Sequence, residues 1–361
     1  MSITKTLAKS ILPQESYYKI WRRGNWRKYA DRFDAALQYY VIEKGLAADA
    51  NEVEKWRQKL VDAFVNDNWF PDEYFFFNYE RLSCKGRHEF VPNREAAKYW
   101  DFMNTHEVYR LTCDKGQTYE HFKPYFHRDL ISISSQSDFD DFGIFVKKHP
   151  KFIVKPTFGN LGNGVQVIDT NNDNEETIIA LFKKLLVEYS QGFIVEELIV
   201  QCAELSAFHP SSVNTVRLTT ARQSNGDIYI IHRPFIRLGQ GGRCVDNGGN
   251  GGIIAAIDYD TGIIKGAIDE RMNRYVVHPD SGKIILGYQI PQWKEALDFV
   301  LELANVLPEL RYCGWDLALT EKGWVMVEAN GKGLFIGFQM PTQEGFREEF
   351  ERIKKECGYK E

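Results

Sequence analysis

Asp316, Glu328 and Asn330 are the oxygen-bearing side chains of the sequence that are best spaced to hold a metal ion. If the chain folds there as a hairpin, the two carboxylates lie opposite one another and repel. A hard cation such as Mg²⁺ would relieve this repulsion, because it takes carboxylate and amide oxygens and leaves its other positions to water and phosphate. Ion pairs with arginines are the alternative.

The hairpin is predicted from two strand-type runs, 314–320 and 324–330, that flank Glu321-Lys322-Gly323. A three-residue turn that ends in glycine is a common hairpin connection. It predicts that Thr320 pairs with Trp324, which places Asp316 opposite Glu328. The other face is predicted to be the core side, and it carries Leu317, Leu319, Val325, Val327 and Ala329.

A lysine and a glycine-rich loop could bind phosphate. Lys155 lies near the end of the apolar strand-type run 151–156, and Gly159, Gly162 and Gly164 follow. Glycines let backbone N–H groups approach phosphate oxygens, and a lysine supplies a point charge. The loop matches neither the Walker A pattern nor the dinucleotide fingerprint. A structural hairpin turn would explain the glycines equally well.

A third pattern is acidic. The apolar run that begins at Phe193 ends in Glu196, Glu197 and Leu198, and Glu204 follows without basic neighbours. Backbone groups there could meet adenine, and a carboxylate could meet ribose hydroxyls. Taken alone, the pattern favours a solvated strand end.

Basic side chains lie on another predicted hairpin, around Asn225-Gly226, a dipeptide typical of two-residue turns. Alternation in that register puts Arg217 and His232 on one face and Arg233 and Arg237 on the other. Arginine forks suit carboxylates and phosphates. No nucleophile elbow, HExxH motif or Cys–His pairing is present, so the sequence predicts no protein nucleophile.

The first hundred residues have helical periodicity, as in the series Val53, Trp56, Leu60 and Phe64. The segment Lys19–Lys28 is basic and carries two tryptophans. It could contact a membrane surface or a nucleic acid. The interpretation that we favour is a solvated helix face whose aromatic residues pack on the core.

Composition limits the class of protein. The chain has 361 residues, enough for two or three domains, and 45 basic against 50 acidic residues, so a dedicated nucleic-acid binder is not expected. Six scattered cysteines, no apolar leader and no long apolar run indicate a cytoplasmic protein without a transmembrane segment. Helices mixed with antiparallel hairpins predict an α+β fold rather than a doubly wound sheet.

The order of these motifs resembles that of the ATP-grasp superfamily, and more narrowly the sugar-transfer-associated ATP-grasp family. The sequences that carry the resemblance are CDKGQTYEHF (113–122), HPSSVNTVRLTT (209–220), RLGQGGRCVDNGGNGGI (237–253) and GWDLALTEKGWVMVEAN (314–330). The resemblance implies an ATP-grasp fold, two α+β lobes (106–193 and 194–361) that close on ATP, after a helical region (1–105). The helical region stands where many such ligases have an α/β domain.

The resemblance also implies roles for single residues. Lys115, Lys155 and the 157–165 loop would meet the ATP phosphates. Glu196, Glu197 and Leu198 would meet adenine, and Glu204 would hold the ribose. Asp316, Glu328 and Asn330 would bind Mg²⁺. Arg217 and Arg237 would face the phosphoryl group or the acceptor carboxylate. The loop Asp246–Gly252 would be either a lid over the acceptor or a long surface hairpin.

The implied activity is an ATP- and Mg²⁺-dependent carboxylate–amine ligase that works through an acyl phosphate. Given the family, the small-molecule substrates would be sugar acids or amino acids destined for a surface polysaccharide. A kinase at the same site and a non-catalytic ATP-binding scaffold are the alternatives.

Overall fold

A computed structural model describes residues 13–159, 164–242 and 251–360. The chain forms two compact units. Unit 1 comprises 1–98 together with 334–352, and unit 2 comprises 99–333 together with 353–361. The described part of the chain contains no helix that is both long and apolar enough to cross a membrane. Its cysteines are free thiols, namely Cys84, Cys113, Cys202, Cys313 and Cys357.

The predicted helical character of the first hundred residues is confirmed for residues 13–100, the part of this region that the structure describes. The helix Ala50–Asp67 begins at Asp49, whose side chain accepts a hydrogen bond from the Glu52 N–H, as an N-cap residue should. Its apolar face buries Leu60 and Phe64 completely. Among the described residues, the α-helices that begin before residue 100 are α1 (Gln14–Asn25), α2 (Ala30–Leu37), α3 (Ala50–Asp67), α4 (Pro71–Phe76), α5 (Cys84–His88) and α6 (Asn93–Met103).

The basic segment Lys19–Lys28 packs partly into this helical unit. Arg22 is buried, and its Nε donates to the Val65 carbonyl at 2.8 Å. The ring of Trp26 lies 5.4 Å from that of Phe33. The packing of Trp26 matches the favoured interpretation, whereas the buried Arg22 departs from a solvated face. A peripheral surface contact through the exposed lysines stays a prediction.

Unit 2 contains a four-stranded antiparallel sheet with the order β1-β4-β2-β3. Its strands are β1 (Leu130–Ile133), β2 (Lys151–Pro156), β3 (Gln166–Asp169) and β4 (Phe193–Glu197). Helices α9 (Phe139–Lys148) and α10 (Glu175–Glu188) bury Phe142 and Phe182 against the sheet side chains Phe152 and Phe193.

The second sheet of unit 2 is antiparallel and has seven strands. Its path is β11-β10-β5-β7-β8-β9, and β6 pairs with β5. Its strands are β5 (Thr215–Arg222), β6 (Ile228–Ile230), β7 (Phe235–Leu238), β8 (Ile253–Ile257), β9 (Ile264–Ile268), β10 (Tyr312–Thr320) and β11 (Gly323–Asn330). Helices α8 (Lys115–Phe126) and α12 (Trp293–Val306) bury Phe122 and Val300 in its core with Leu218 and Trp315. The remaining helices are α7 (His106–Cys113), α11 (Ala203–Ser206), α13 (Ile336–Gln339) and α14 (Arg347–Glu356).

The predicted two-residue turn at Asn225-Gly226 is wrong in length. Strand pairing ends at Arg222 and Ile228, and the Gln223 N–H donates to the Asp227 carbonyl at 2.8 Å, so three residues form the turn. The Asn225 side chain accepts from the Asp227 N–H and donates to its carboxylate, which favours a wider turn. Gly226 still takes a positive φ of 94°.

Candidate active site

The predicted opposition of Asp316 and Glu328 is confirmed, although the turn that leads to it differs. Thr320 pairs with Gly323 and not with Trp324, so the turn is one residue tighter than predicted. A β-bulge between Asp316 and Leu317 restores the register, and Asp316 pairs with Glu328.

Because of the bulge, the predicted core face of the hairpin is wrong between the turn and Glu328. Trp324 and Met326 are buried in the main core of unit 2, opposite Leu319 and Leu317. Val325 and Val327, which were predicted to face that core, are not part of this cluster. The extra residue in β11 shifts the alternation of side chains between the turn and Glu328.

Asp316 is almost fully buried and lies between two arginines. Arg217 donates from Nε at 2.5 Å and from Nη2 at 2.8 Å, and the Nη2 of Arg237 lies 2.6 Å from the same carboxylate. Burial by itself would raise the pKa of Asp316, but these two positive charges outweigh it and hold the pKa at about 2.

The predicted separation of the arginines onto two faces is wrong. Arg217 pairs with Phe235, and Thr215 pairs with Arg237, so both arginines lie on one face of the sheet. The sequence-based alternation assumed an unbroken strand from Ile228 to Leu238, whereas pairing with β6 stops at Ile230 and resumes with β7 at Phe235. The ion pairs that the sequence left open as an alternative are therefore formed at Asp316.

Glu328 differs from Asp316 in its electrostatic environment. The Nζ of Lys115 is 4.0 Å from the Glu328 carboxylate. Desolvation and the charge of Asp316 raise the pKa of Glu328, and Lys115 offsets only part of this increase. Negative charge at Glu328 is thus the less well compensated of the two.

Both predicted phosphate-side lysines lie in unit 2. Lys115 begins α8, and its Nζ donates to the carbonyl of Gly159 at 2.9 Å. Desolvation lowers the pKa of Lys115, as does the positive charge of Lys155, while Glu328 and Glu196 raise it. Four charged groups from α8, β2, β4 and β11 therefore influence one another.

The glycine-rich loop uses glycine where the backbone requires it. Gly159 has a φ of 150° and Gly164 a φ of 73°, values that side chains with a Cβ rarely adopt. The hydroxyl of Tyr189 donates to the carbonyl of Gly164 at 2.7 Å. Gly162 lies outside the described residues, as do residues 246–250 of the second glycine-rich loop.

The acids at the end of β4 are engaged with protein groups. Glu196 is buried, and its carboxylate contacts the Arg128 guanidinium and, at 2.6 Å, the Nζ of Lys155. Glu197 accepts from the N–H of Asp129 at 3.1 Å. Leu198, which directly follows the strand, is partly exposed.

Glu204 lies on the short helix α11 with an exposed side chain. Its backbone carbonyl accepts from the Nζ of Lys283. That lysine also lies 4.6 Å from the ring of Phe208 and 4.8 Å from that of Tyr288. The main chain of Glu204 is thus held by Lys283, while its carboxylate is exposed to solvent.

Two residues of the site carry no signal in the sequence. Arg128 lies 68 positions before its partner Glu196, so only the fold brings them together. Asn104 donates to the carbonyls of Tyr312 and Gly331 at 2.7 and 2.8 Å, and accepts from the Tyr312 N–H. It thereby fixes both open ends of the hairpin that carries Asp316 and Glu328. The sequence had grouped Asn104 with the helical region.

Glu197 belongs to a small polar cluster. Ligand atoms of Asp129, His149 and Glu197 lie within 4.8 Å of one another. Asp129 already pairs with Lys148 and with the His149 imidazole, 2.7 Å away. The ammonium of Lys148 therefore offsets part of the negative charge of this cluster.

The family model described as sugar-transfer associated ATP-grasp matches residues 94–355, which is more than half of the chain. The chain belongs to the sugar-transfer-associated ATP-grasp family. The resemblance inferred from the motifs is thereby confirmed, as is the ATP-grasp fold with its helical N-terminal segment. Unit 2 holds every described site residue of this ATP-grasp protein.

Solved structures similar to this ATP-grasp protein are distant in sequence. The D-alanine–D-alanine ligase of Helicobacter pylori has a TM-score of 0.45 and 14% identity, over 73% of this chain and 68% of the ligase. The N5-carboxyaminoimidazole synthetase of Staphylococcus aureus, solved with ADP, has a TM-score of 0.36 and 16% identity, over 62% of this chain and 44% of the synthetase. This chain thus spans less than half of the synthetase. No curated protein matches the sequence.

The donor types on this hairpin of the ATP-grasp protein are those that a hard divalent cation prefers, although both oxygens of Asp316 also contact arginines. Two carboxylates and one amide lie on the same face of the hairpin, and Asn330 donates to Asp316 from its Nδ2 at 3.2 Å, so its amide oxygen is available as a donor to a metal. Glu328 is the ligand that a cation would stabilise most, because its negative charge is least compensated.

Proposed function

We propose that this protein is an ATP- and Mg²⁺-dependent carboxylate–amine ligase that acts on small molecules of surface polysaccharide or glycoconjugate biosynthesis. The observation that supports it best is the convergence of charged groups from both sheets of unit 2. Lys115 lies 4.0 Å from Glu328 of the hairpin. Lys155 of the smaller sheet is close enough for its charge to lower the pKa of Lys115. Such an arrangement suits phosphoryl transfer, where charge is neutralised around in-line oxygens.

The roles that we propose follow from this arrangement. Lys115, Lys155 and the glycine-rich loop, with Gly159, Gly162 and Gly164, would bind the phosphates. Glu196, Glu197 and Leu198 would border the adenine, and Glu204 would bind the ribose. Asp316, Glu328 and Asn330 would hold Mg²⁺, which would supply charge neutralisation at the phosphate oxygens. Arg217 and Arg237 would orient the acceptor carboxylate or the transferred phosphoryl group.

The proposed chemistry has two steps. An oxygen of the acceptor carboxylate forms a bond to the γ-phosphorus as the bond to the β-phosphate oxygen breaks, giving an acyl phosphate and ADP. An amine then attacks the acyl carbon, phosphate leaves, and the amine loses a proton. The residue inventory suits this route, since neither step needs a protein nucleophile. The two lobes that would close on ATP are predicted as 106–193 and 194–361. Because β4 pairs within the smaller sheet and 334–352 lies in unit 1, the second lobe would consist of the larger sheet and its helices.

The test is a trapping assay. Purified protein is incubated with Mg·ATP, a panel of sugar acids and amino acids, and hydroxylamine as the amine. We expect a hydroxamate formed in proportion to ADP, and its loss in Lys155→Met. No hydroxamate from any carboxylate would contradict the ligase, and a phosphorylated acceptor without released phosphate would identify a kinase. ATP binding without any turnover would favour a scaffold.

A further inference from the structure

Arg128 lies in the turn between α8 and β1 and contacts both sheets of unit 2. Its Nη1 donates to the carbonyls of Phe126 at 3.0 Å and Met326 at 2.6 Å. Met326 belongs to β11, the strand that carries Glu328. The guanidinium also packs 4.6 Å from the ring of Phe126. These contacts fix the guanidinium, which is almost completely buried.

The fixed guanidinium shares one carboxylate with Lys155. Arg128 contacts the Oε1 of Glu196, and Lys155 contacts the Oε2 at 2.6 Å. Burial by itself would raise the pKa of Glu196, but the two cations hold it at about 2, so the carboxylate is charged. One negative and two positive charges leave this triad with a net charge of +1.

The net charge matters because Lys155 alone could be neutralised by Glu196. A lysine in a one-to-one ion pair presents little net attraction to a phosphate, since the carboxylate repels the same oxygens. A second cation on the carboxylate offsets that repulsion. The interior position of the triad strengthens the effect, because buried charges are screened less by solvent.

We propose that Arg128 is a positioning residue that holds and neutralises Glu196, so that Lys155 keeps a net positive charge for an anionic ligand of the phosphate class. This inference rests on the proposed function, in which Lys155 meets the phosphates of ATP. It adds a residue for which neither the sequence motifs nor the family resemblance supplied a role.

The experiment compares nucleotide affinity across a series of net charges, measured by calorimetry with Mg²⁺ and a non-hydrolysable ATP analogue at fixed ionic strength. Arg128→Met brings the triad to zero and should weaken binding about tenfold. Arg128→Lys keeps the charge and should bind nearly as wild type. The double variant Arg128→Met/Glu196→Gln restores +1 and should recover most of the affinity. Arg128→Met should also bind with a weaker salt dependence than wild type.

The outcomes separate this inference from the proposed function. A wild-type protein that binds no nucleotide overturns both. Binding that is lost in Lys155→Met but unchanged in folded Arg128→Met overturns this inference alone. If Arg128→Met does not fold, the double variant decides, because it carries no uncompensated buried carboxylate. Affinity in the double variant far below that of wild type would then contradict the role of charge.

Discussion

At the scale of single residues, the opposed acids of the hairpin are not equivalent. Asp316 is paired with two arginines, and its pKa is held at about 2, whereas the pKa of Glu328 is raised. A lowered carboxyl pKa means that the folded state favours the charged form. The fold therefore stabilises the charge of Asp316 and disfavours that of Glu328.

Substitutions of Asp316 and of Glu328 should therefore affect stability differently. Asp316→Asn leaves Arg217 and Arg237 without their shared carboxylate, and we expect it to destabilise the fold by roughly 3–5 kcal/mol. Glu328→Gln removes a poorly compensated charge and should leave the thermal midpoint unchanged or higher. Both should weaken Mg²⁺-dependent nucleotide binding. Midpoints measured by calorimetry without nucleotide check the contrast, and equal destabilisation by both variants would contradict it.

Glu73 is a second buried acid with an unusual environment, in unit 1. It is fully buried, and its two oxygens accept from the N–H groups of Phe70 and Asn93 at 2.8 and 2.7 Å. These groups lie at the starts of α4 and α6. Burial, with a smaller contribution from Asp72, raises its pKa from 4.5 to about 7.

The raised pKa predicts a pH dependence of stability. A carboxyl whose folded pKa lies above its unfolded value contributes stability that is fully present below about pH 4.5 and is lost as the pH rises through about 7. The difference is at most roughly 3 kcal/mol. We expect the urea midpoint of wild type, relative to Glu73→Gln, to fall between about pH 5 and about pH 8. Parallel pH profiles for the two proteins would contradict the assignment.

At the scale of elements, β10 lies so close to β5 that Gly314 leaves little space beside Arg217. A Cβ added at Gly314 would lie 2.9 Å from the Nη1 of Arg217 and 3.1 Å from its Cδ. Arg217 cannot easily move away, because two hydrogen bonds tie it to Asp316. Glycine at this strand position therefore makes room for the buried ion pair.

Gly314→Ala should accordingly displace Arg217 and cost about 1–3 kcal/mol of unfolding free energy. Gly143→Ala is the matched control. Gly143 lies in α9 with open space around its Cα, so alanine there should be neutral or stabilising. Chemical denaturation of both variants checks the prediction. A Gly314→Ala protein as stable as the control would show that Arg217 has room to adjust.

At the scale of the whole molecule, the helical unit is built from two distant parts of the chain. Gln339 is fully buried in unit 1, where it accepts from the N–H of Val91 at 2.8 Å and donates to its carbonyl at 3.0 Å. Arg347 donates to the Glu95 carboxylate at 2.9 Å. The segment 334–352 thus belongs with residues before 99, although it follows the hairpin of β10 and β11 in the sequence.

Removal of the N-terminal part should therefore expose the C-terminal segment. A protein that starts at residue 99 leaves the buried amide of Gln339 without its backbone partners, which is costly for a buried polar group. We expect limited proteolysis with mass spectrometry to detect cleavage within 334–352, which the 361-residue chain should resist. Equal resistance of the two proteins would mean that the segment holds its structure without residues 1–98.

Local pattern in the sequence determined the elements and the family. Helical periodicity, the apolar run 151–156 and the glycine after the hairpin turn are short-range features, and the structure has helices, a strand and a hairpin at these places. The opposition of Asp316 and Glu328 was predicted correctly because two errors cancel. The turn is one residue shorter than predicted, and the bulge, which was not predicted, adds one residue to β11.

Only the tertiary structure decided what each charge contacts. Arg217 and Arg237 share a face of the sheet because strand pairing is interrupted between β6 and β7. Arg128 contacts Glu196, which lies 68 residues later in the sequence. Asn104 joins the site from the end of a helix that local pattern assigned elsewhere. Long-range ion pairs depend on which strands become neighbours, and a single sequence carries no signal for that choice because any charged residue can be paired or solvated.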